Sequence, residues 1–248
     1  MPTFFEELAA DRRRVALDCD VMLGHWPQRA DLDLSPDAVA TVLTRAGIDG
    51  ALVASGQAVM FDEEAGNAEA RTWAAERDWL PCHVVNLRDA SDFTERVVEW
   101  IELGVRAIRL PGVTQMVPVT APGYQLVVAE AARHGLVMLA EGNFTAVQHA
   151  FRGIDAKVVF LDMGYYETAD FLIAARAEPG FVASTRRLLG PDTLEIVCSE
   201  VGARHIAFGS GSPLQDLEPT VWRLRDARLG TEDFDAIAGG TLTALLEN

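Results

Sequence analysis

The sequence is poor in positive charge. Its 248 residues contain 37 acidic and 21 basic side chains, which gives a formal net charge of -16 at pH 7, and Lys157 is the single lysine. Proteins that bind nucleic acids or anionic membranes usually carry the opposite excess. We therefore predict a small-molecule substrate or ligand as the partner, with no nucleic acid and no membrane. A homodimer is compatible with this composition.

Long apolar runs and paired cysteines are also missing. No stretch approaches the roughly 18 consecutive apolar residues of a membrane span, and the first segment, MPTFFEELAADRRR, lacks the apolar core of a secretion signal. Cys19, Cys82 and Cys198 are scattered and form no C-x-x-C motif, so we expect reduced core thiols rather than disulfides or a zinc cluster. These absences favour a cytoplasmic protein.

Short apolar runs alternate with helical patterns along the chain. The predicted strands cover residues 15–23, 50–59, 80–87, 105–112, 136–143, 157–164, 180–187 and 205–213. Amphipathic segments separate most of them, and one begins with Ser35 as a predicted N-cap. Strand–helix units of about 30 residues are typical of a parallel barrel. We predict a single α/β domain over residues 1–248, a (β/α)8 TIM barrel with residues 1–14 as a helix beneath it.

The first predicted strand ends in the segment LDCDVMLGHWP. Asp18, Asp20 and Met22 occupy alternate positions, so a regular strand points all three to one face and points Cys19 to the other. Functional side chains of a parallel barrel come from the carboxyl ends of its strands and from the loops that follow. Asp18 lies one layer deeper than Asp20, and we expect it to make structural hydrogen bonds.

The other strand ends supply further polar residues. The predicted lining of the barrel mouth consists of Asp20, Met22, Gln57, Asn86, Arg88, Arg109, Ala140, Glu141, Asp162, Arg186, Arg187 and Gly211. The strand register decides whether neighbours such as Ala140 and Glu141 point inward or sideways.

The ordered set of strand ends resembles the amidohydrolase superfamily, most closely its group of small metal-dependent hydrolases and decarboxylases. ALDCDVMLG falls where that family reads I-D-x-H-x-H-x-G, and HGLVMLAEGN falls where it reads G-L-P-V-x-I-H-T-G. VVFLDMGYY matches V-x-x-H-x-G-G, and RHIAFGSGSP matches R-I-L-F-G-S-D-x-P. The resemblance spans nearly the whole chain and implies a barrel whose mouth holds a divalent metal that activates water.

The residues that bind the metal in that family are replaced here. The resemblance places Asp20, Met22, Ala140 and Gly211 at the four ligand positions, and Asp162 at the sixth-strand histidine. One carboxylate out of four positions cannot hold zinc, and a thioether is a poor substitute for imidazole. The aspartate that would deprotonate the water is absent as well. We therefore expect no metal and no other cofactor.

The remaining polar residues allow an acid–base site. Asp20 and Asp162 are the predicted catalytic residues, because two neighbouring carboxylates should repel each other and raise one pKa. The predicted substrate-binding residues are Met22, His25, Arg109, Glu141 and Arg186. Arg109, with Arg186 or Arg187 if they turn inward, is expected to bind a substrate carboxylate through two parallel hydrogen bonds. The structural alternatives are solvated aspartates, an Arg109 that pairs with a mouth carboxylate, and a surface His25.

Two functions remain open. The first is a metal-independent acid–base enzyme, a hydrolase or decarboxylase that acts on a small cyclic or aromatic acid. The second is a non-catalytic member of the superfamily that binds a ligand or another subunit. The loss of the metal ligands argues against the family's metal chemistry, but it does not choose between these two functions.

Overall fold

The chain folds into a barrel of eight parallel strands. The structure is a computed structural model that describes residues 13–247. The strands pair in chain order from the first to the eighth. Hydrogen bonds from Cys19 N to Phe208 O (2.9 Å) and from Met22 N to Ser212 O (2.8 Å) join the first strand to the segment after the eighth. The predicted single (β/α)8 TIM barrel is confirmed, whereas the predicted helix over residues 1–14 lies outside the described residues, except for its last two positions.

Each strand is followed by one or more helices or by a helical turn. The strands are β1 (Val15–Leu23), β2 (Ile48–Ser55), β3 (Leu80–Val84), β4 (Ala107–Leu110), β5 (Val137–Ala140), β6 (Lys157–Phe160), β7 (Phe181–Ser184) and β8 (Ile206–Ala207). The helices are α1 (Pro36–Ala46), α2 (Gly56–Met60), α3 (Glu63–Arg77), α4 (Phe93–Glu102), α5 (Pro122–Arg133), α6 (Phe144–Val147), α7 (Thr168–Ala177), α8 (Thr193–Glu200), α9 (Glu218–Asp226), α10 (Thr231–Asp235) and α11 (Thr241–Glu247). A π-helical turn (Ala236–Gly240) joins α10 to α11.

Most predicted strands run past the observed strand ends. In the predicted strand 50–59, β2 stops at Ser55, whose Oγ accepts a hydrogen bond from Gln57 N (3.1 Å) and caps α2. Gln57 therefore lies on a helix and not at a strand end. In the predicted strand 205–213, β8 stops at Ala207. The residues beyond these two strand ends are mostly buried, in helix α2 after β2 and in an irregular segment after β8. Such burial gives the same short apolar pattern as a strand.

The strand side chains divide into an inner and an outer core. One buried cluster holds the inward side chains, and a larger one packs the outward side chains against the helices. β1 departs from regular alternation, because its pairing with β2 shifts register between Asp18 and Val21. Cys19 therefore packs in the inner cluster with Leu17 and Met22. The prediction that Cys19 points away from the interior is wrong, because that prediction assumed an unbroken strand.

Helix α1 begins at the N-cap that the sequence predicts, and a glycine ends it. The Oγ of Ser35 accepts a hydrogen bond from Ala38 N (3.4 Å) and satisfies one free N–H of the first turn. Gly47 ends the helix with a φ of +82°, in the left-handed region that glycine tolerates best. These caps fix the point at which the chain enters β2.

The cysteines and the helix lengths complete the fold. Cys19 and Cys82 are buried, Cys198 is partly buried, and all three thiols are free. Across residues 13–247, none of the helices combines the length and the apolar character needed to cross a membrane.

Candidate functional site

A cavity of about 580 Å³ opens at the carboxyl ends of the strands. The predicted mouth residues that line it are Arg109, Glu141, Asp162, Arg186, Arg187 and Gly211. Trp26, Val113 and Leu214 add apolar surface. The strand ends therefore meet around one charged cavity, as the barrel topology requires.

Five charged side chains form a continuous chain of ion pairs at this cavity. Arg109 Nη1 lies 2.5 Å from Asp20 Oδ1, and Arg109 Nη2 lies 3.0 Å from Glu141 Oε1. Arg186 Nη1 lies 2.6 Å from Asp20 Oδ2, and Arg186 Nη2 lies 2.5 Å from Asp162 Oδ1. Asp20 is therefore held between two guanidinium groups, and both of its oxygens are engaged.

The ion pairs determine the protonation state of Asp20. Burial by itself raises the pKa of this carboxyl, but the charges and hydrogen bonds of Arg186 and Arg109 outweigh burial and hold the pKa at about 2. The predicted repulsion between Asp20 and Asp162 does not arise, because Arg186 bonds to both carboxylates. The expectation of a raised pKa is therefore wrong for Asp20, which is an ionised anchor at neutral pH.

The end of β5 directs Glu141 rather than Ala140 into the barrel. Ala140 belongs to the outer core, and Leu139 belongs to the inner one. Glu141 follows the inward alternation, and its Oε2 accepts a hydrogen bond from Thr114 Oγ1 (2.9 Å). The resemblance placed Ala140 at a metal-ligand position, but the inward position at this strand end is that of Glu141.

A helical turn after β7 (Thr185–Arg187) positions two arginines at the mouth. Ser184 Oγ accepts a hydrogen bond from Arg186 N (3.2 Å), and Thr185 Oγ1 donates to Gly209 O (3.0 Å). Arg223 Nη2 from α9 donates to Thr185 O (2.5 Å). These contacts fix the turn, which directs Arg186 toward the ion pairs and leaves Arg187 56% exposed.

Gly211 leaves the space that Arg186 occupies. A Cβ atom at this position would lie 2.9 Å from Arg186 Cδ, and the backbone φ of +72° disfavours any side chain. The resemblance places the family's metal-binding aspartate here. In this chain an aspartate at position 211 would require the Arg186 side chain to shift from its observed position.

The side chains at the mouth do not fit a divalent metal ion. The best-placed ligand, Asp20, has both oxygens bound by guanidinium groups, whose positive charge repels a cation. Within residues 13–247, no group of three or more His, Cys, Asp or Glu side chains is arranged to hold a metal. The arginines Arg109 and Arg186 supply the positive charge at this strand end.

Two predicted substrate-binding residues lie outside the cavity lining. Met22 is buried in the inner core. His25 is exposed, and its ring stacks on Phe61 with the centroids 6.1 Å apart. The rim residue that reaches the cavity from this loop is Trp26. The first-strand motif thus contributes Asp20 and Trp26 to the site, whereas Met22 packs in the inner core.

Residues in the loops beyond the strand ends were missed by the sequence reasoning. Glu167 lines the cavity, and its Oε1 accepts a hydrogen bond from Thr145 N (2.8 Å). Its Oε2 accepts a hydrogen bond from Gly164 N (3.0 Å). A glutamate three residues after an N-cap position can accept a hydrogen bond from the N-cap N–H, as Glu167 does from Gly164, and this spacing could have identified it. Thr114, which holds Glu141, carries no comparable signal.

Comparison with known proteins supports the barrel. Neither a family model nor a curated protein matches the sequence. Among solved structures, 2,6-dihydroxybenzoate decarboxylase from Rhizobium matches with a TM-score of 0.72 and 12% identity, over 95% of this chain and 99% of that chain. A putative amidohydrolase from Staphylococcus aureus matches with a TM-score of 0.70 and 11% identity, over 94% and 99%.

A third match carries a metal. The dihydroxybenzoic acid decarboxylase from Polaromonas, with bound manganese and an inhibitor, has a TM-score of 0.70 and 12% identity, over 95% of this chain and 97% of that chain. Such low identities establish a shared fold. The barrel that the sequence resemblance implies is thereby confirmed as a fold.

Proposed function

We propose that the chain binds a small aromatic or cyclic carboxylic acid at the barrel mouth without a divalent metal, and that it acts on this acid as a hydrolase- or decarboxylase-type enzyme. The observation that carries the proposal is the position of Arg187. It lines the cavity, it is 56% exposed, and its nearest carboxylate oxygen, from Asp162, is 4.0 Å away. Within the described range, its guanidinium donates no hydrogen bond, so its N–H donors are available to a ligand.

Arg187, rather than the predicted Arg109, is the arginine that we expect to bind the carboxylate of the ligand. A planar guanidinium binds a carboxylate through two parallel hydrogen bonds, provided that a ligand can reach it. Arg109 is 4% exposed and already pairs with two carboxylates. Arg186 contributes positive charge beside the cavity, and its buried Nε has no partner among the described residues. A ligand acid therefore approaches Arg187 first.

The wall of the cavity and the fold neighbours support an aromatic acid. Trp26, Val113 and Leu214 form apolar surface next to the arginines, which suits a ligand with an apolar ring and a charged group. The neighbours from Rhizobium and Polaromonas are named as decarboxylases of dihydroxybenzoic acids. The Polaromonas protein holds manganese, whereas in this chain arginines lie beside Asp20.

We assign proton transfer to Asp162. Its side chain is 18% exposed and lines the cavity, with Oδ1 paired to Arg186 and Oδ2 accepting a hydrogen bond from Gly142 N (2.9 Å). Asp20 is 2% exposed and both of its oxygens are bound by guanidinium groups. Asp20 also does not line the cavity, so a bound ligand cannot exchange a proton with it directly, whereas it can reach Asp162. Of the two predicted catalytic aspartates, only Asp162 lines the cavity.

Arg187→Gln is expected to weaken the binding of benzoate or a hydroxybenzoate by about five- to thirtyfold, the equivalent of about 1–2 kcal/mol. The reason is the loss of a charged hydrogen-bond donor, and the effect is reduced by the partial exposure of the site. Titration calorimetry of the purified chain at low ionic strength measures it. A chelator should leave the affinity of the wild-type chain unchanged.

Arg133→Gln is the matched control, because Arg133 is similarly exposed and pairs with Glu130 on α5. This variant should bind the acid like the wild type. An affinity that Arg187→Gln leaves unchanged contradicts the proposed site. Binding that requires about one zinc or manganese ion per chain contradicts the metal-free mode.

A non-catalytic ligand-binding protein is the second candidate, and the ion pairing of Asp20 favours it because it removes one of the two expected acid–base groups. For an enzyme, we expect the wild type to convert a bound acid, and Asp162→Asn to lower the rate by about 100-fold or more. Assays for carbon dioxide release and for hydrolysis products test this expectation. Binding without conversion supports the ligand-binding protein.

A further inference from the structure

An apolar groove adjoins the mouth cavity. The loop after β4 and the start of the segment after β5 enclose a space of about 390 Å³. Its apolar lining includes Val113, Met116, Val117, Pro118, Val119 and Val147. The groove lies at the same end of the barrel as the proposed acid site.

The loop that forms this groove is fixed by buried hydrogen bonds. Gln115 is 3% exposed, and its Oε1 accepts a hydrogen bond from Leu87 N (2.8 Å). Its Nε2 donates to Val85 O (3.3 Å) and Val59 O (3.4 Å). The neighbouring apolar side chains are therefore held at defined positions on the surface.

Met116 has no structural reason to be methionine. Its φ of +57° lies in the left-handed region that glycine and asparagine favour, and its side chain is 83% exposed. Val113 is 63% exposed on the same loop. Large apolar side chains that are exposed together beside a cavity are typical of a binding surface.

The groove is continuous with the acid site. Val113 and Glu141 line both spaces. Gly142 follows Glu141 in the chain. A Cβ atom at Gly142 would lie 2.7 Å from Val147 Cγ1 and 3.4 Å from Val113 Cγ2. The absence of a side chain at Gly142 leaves room for Val113, which lines both spaces, and for Val147, which lines the groove.

We infer that the acid bound at the mouth carries an apolar arm that lies in this groove, so that the ligand is an alkyl- or aryl-substituted aromatic acid. This inference rests on the proposed function, because the carboxylate must be bound at the mouth for the arm to enter the adjoining groove. The charge distribution agrees with it, since the arginines lie at the mouth and the groove lining is apolar except for Glu141.

The test compares benzoate with 4-ethyl-, 4-butyl- and 4-hexylbenzoate by titration calorimetry. Affinity for the wild-type chain is expected to rise about fourfold for each methylene group that becomes buried. Met116→Gly should flatten this dependence on chain length, and glycine suits the observed φ, so the variant folds. Met116→Leu should retain the dependence, and so should Ile173→Ser, a control at an exposed apolar position on α7.

The outcomes separate this inference from the proposed function. If no benzoate binds, the proposed function fails as well. If benzoates bind through Arg187 without any gain from the alkyl chain, or if the gain survives Met116→Gly, the inference alone is overturned. Self-association of the chain that Met116→Gly abolishes would assign the groove to a second copy and would also overturn it.

Discussion

Asp20→Asn is expected to lower the free energy of unfolding by about 3–5 kcal/mol, the range for the removal of one partner from a buried ion pair. Asp20 is the shared counterion of Arg109, which is 4% exposed, and of Arg186, which is 12% exposed. The neutral amide of asparagine no longer balances the positive charges of the two buried guanidinium groups. Its NH2 group also faces one of them, so that two hydrogen-bond donors meet. Denaturant unfolding at pH 7 measures the loss.

Asp49→Asn is the matched control at the surface. Asp49 pairs with Arg14 at 2.5 Å, and both side chains are about half exposed. Such a pair contributes about 0–1 kcal/mol, because water screens the charges. If Asp20→Asn costs no more than Asp49→Asn, the buried ion pairs do not hold the mouth together in the way described.

The same ion pairs make the stability of the folded chain depend on pH in the acid range. The pKa of Asp20, about 2 in the folded chain, lies below its ordinary value of about 4. The folded state therefore favours the ionised carboxylate, and this stabilisation is complete above about pH 4 and disappears as the pH falls through 2. Asp20→Asn should remove this part of the acid sensitivity.

The sequence was sufficient to predict the barrel and the meeting of its polar strand ends. Strand and helix patterns alternate, and in a parallel barrel every strand delivers its carboxyl end to one face. This rule alone places Arg109, Glu141, Asp162 and Arg186 around one cavity. The rule does not predict which of these side chains form ion pairs with one another.

The ion pairing and the local directions could not be predicted, since they depend on fractions of an ångström and on breaks in periodicity. A register shift in β1 turned Cys19 inward. The space left by Gly211 allowed Arg186 to reach Asp20. The strand ends alone predict that Asp20 and Asp162 repel each other and that one pKa rises. Because Arg186 lies between them and bonds to both, the pKa of Asp20 falls instead.

Asp18→Asn, one layer below the barrel mouth, is expected to change strongly the pH dependence of stability between about pH 4 and pH 7. Asp18 is fully buried, its Oδ1 accepts hydrogen bonds from Asp20 N and Ser210 N (both 3.0 Å), and its Oδ2 has no partner among the described residues. Burial is the main cause that raises the pKa of Asp18 to about 7, and the charge of Asp20 adds to the rise. The folded chain thus holds a proton at a pH where the unfolded chain has lost it.

The sign of the effect follows from this difference in proton binding. Between about pH 4 and pH 7 the native state binds more protons at Asp18 than the unfolded state, so this contribution to stability falls as the pH rises. A rise in pKa from about 4 to about 7 corresponds to about 4 kcal/mol. The asparagine side chain of the variant does not titrate, and its amide oxygen can accept the same two backbone N–H groups.

The measurement is the difference in unfolding free energy between Asp18→Asn and the wild type at pH 4.5, 6 and 8. Any fixed cost of the unpartnered amide group is the same at each pH, and the titration of groups remote from Asp18 is common to both chains. The difference should therefore move in favour of the variant by about 3–4 kcal/mol from pH 4.5 to pH 8. A difference that stays constant over this range would mean that Asp18 is ionised throughout. A second buried negative charge next to Asp20 would then have to be balanced by Arg109 and Arg186.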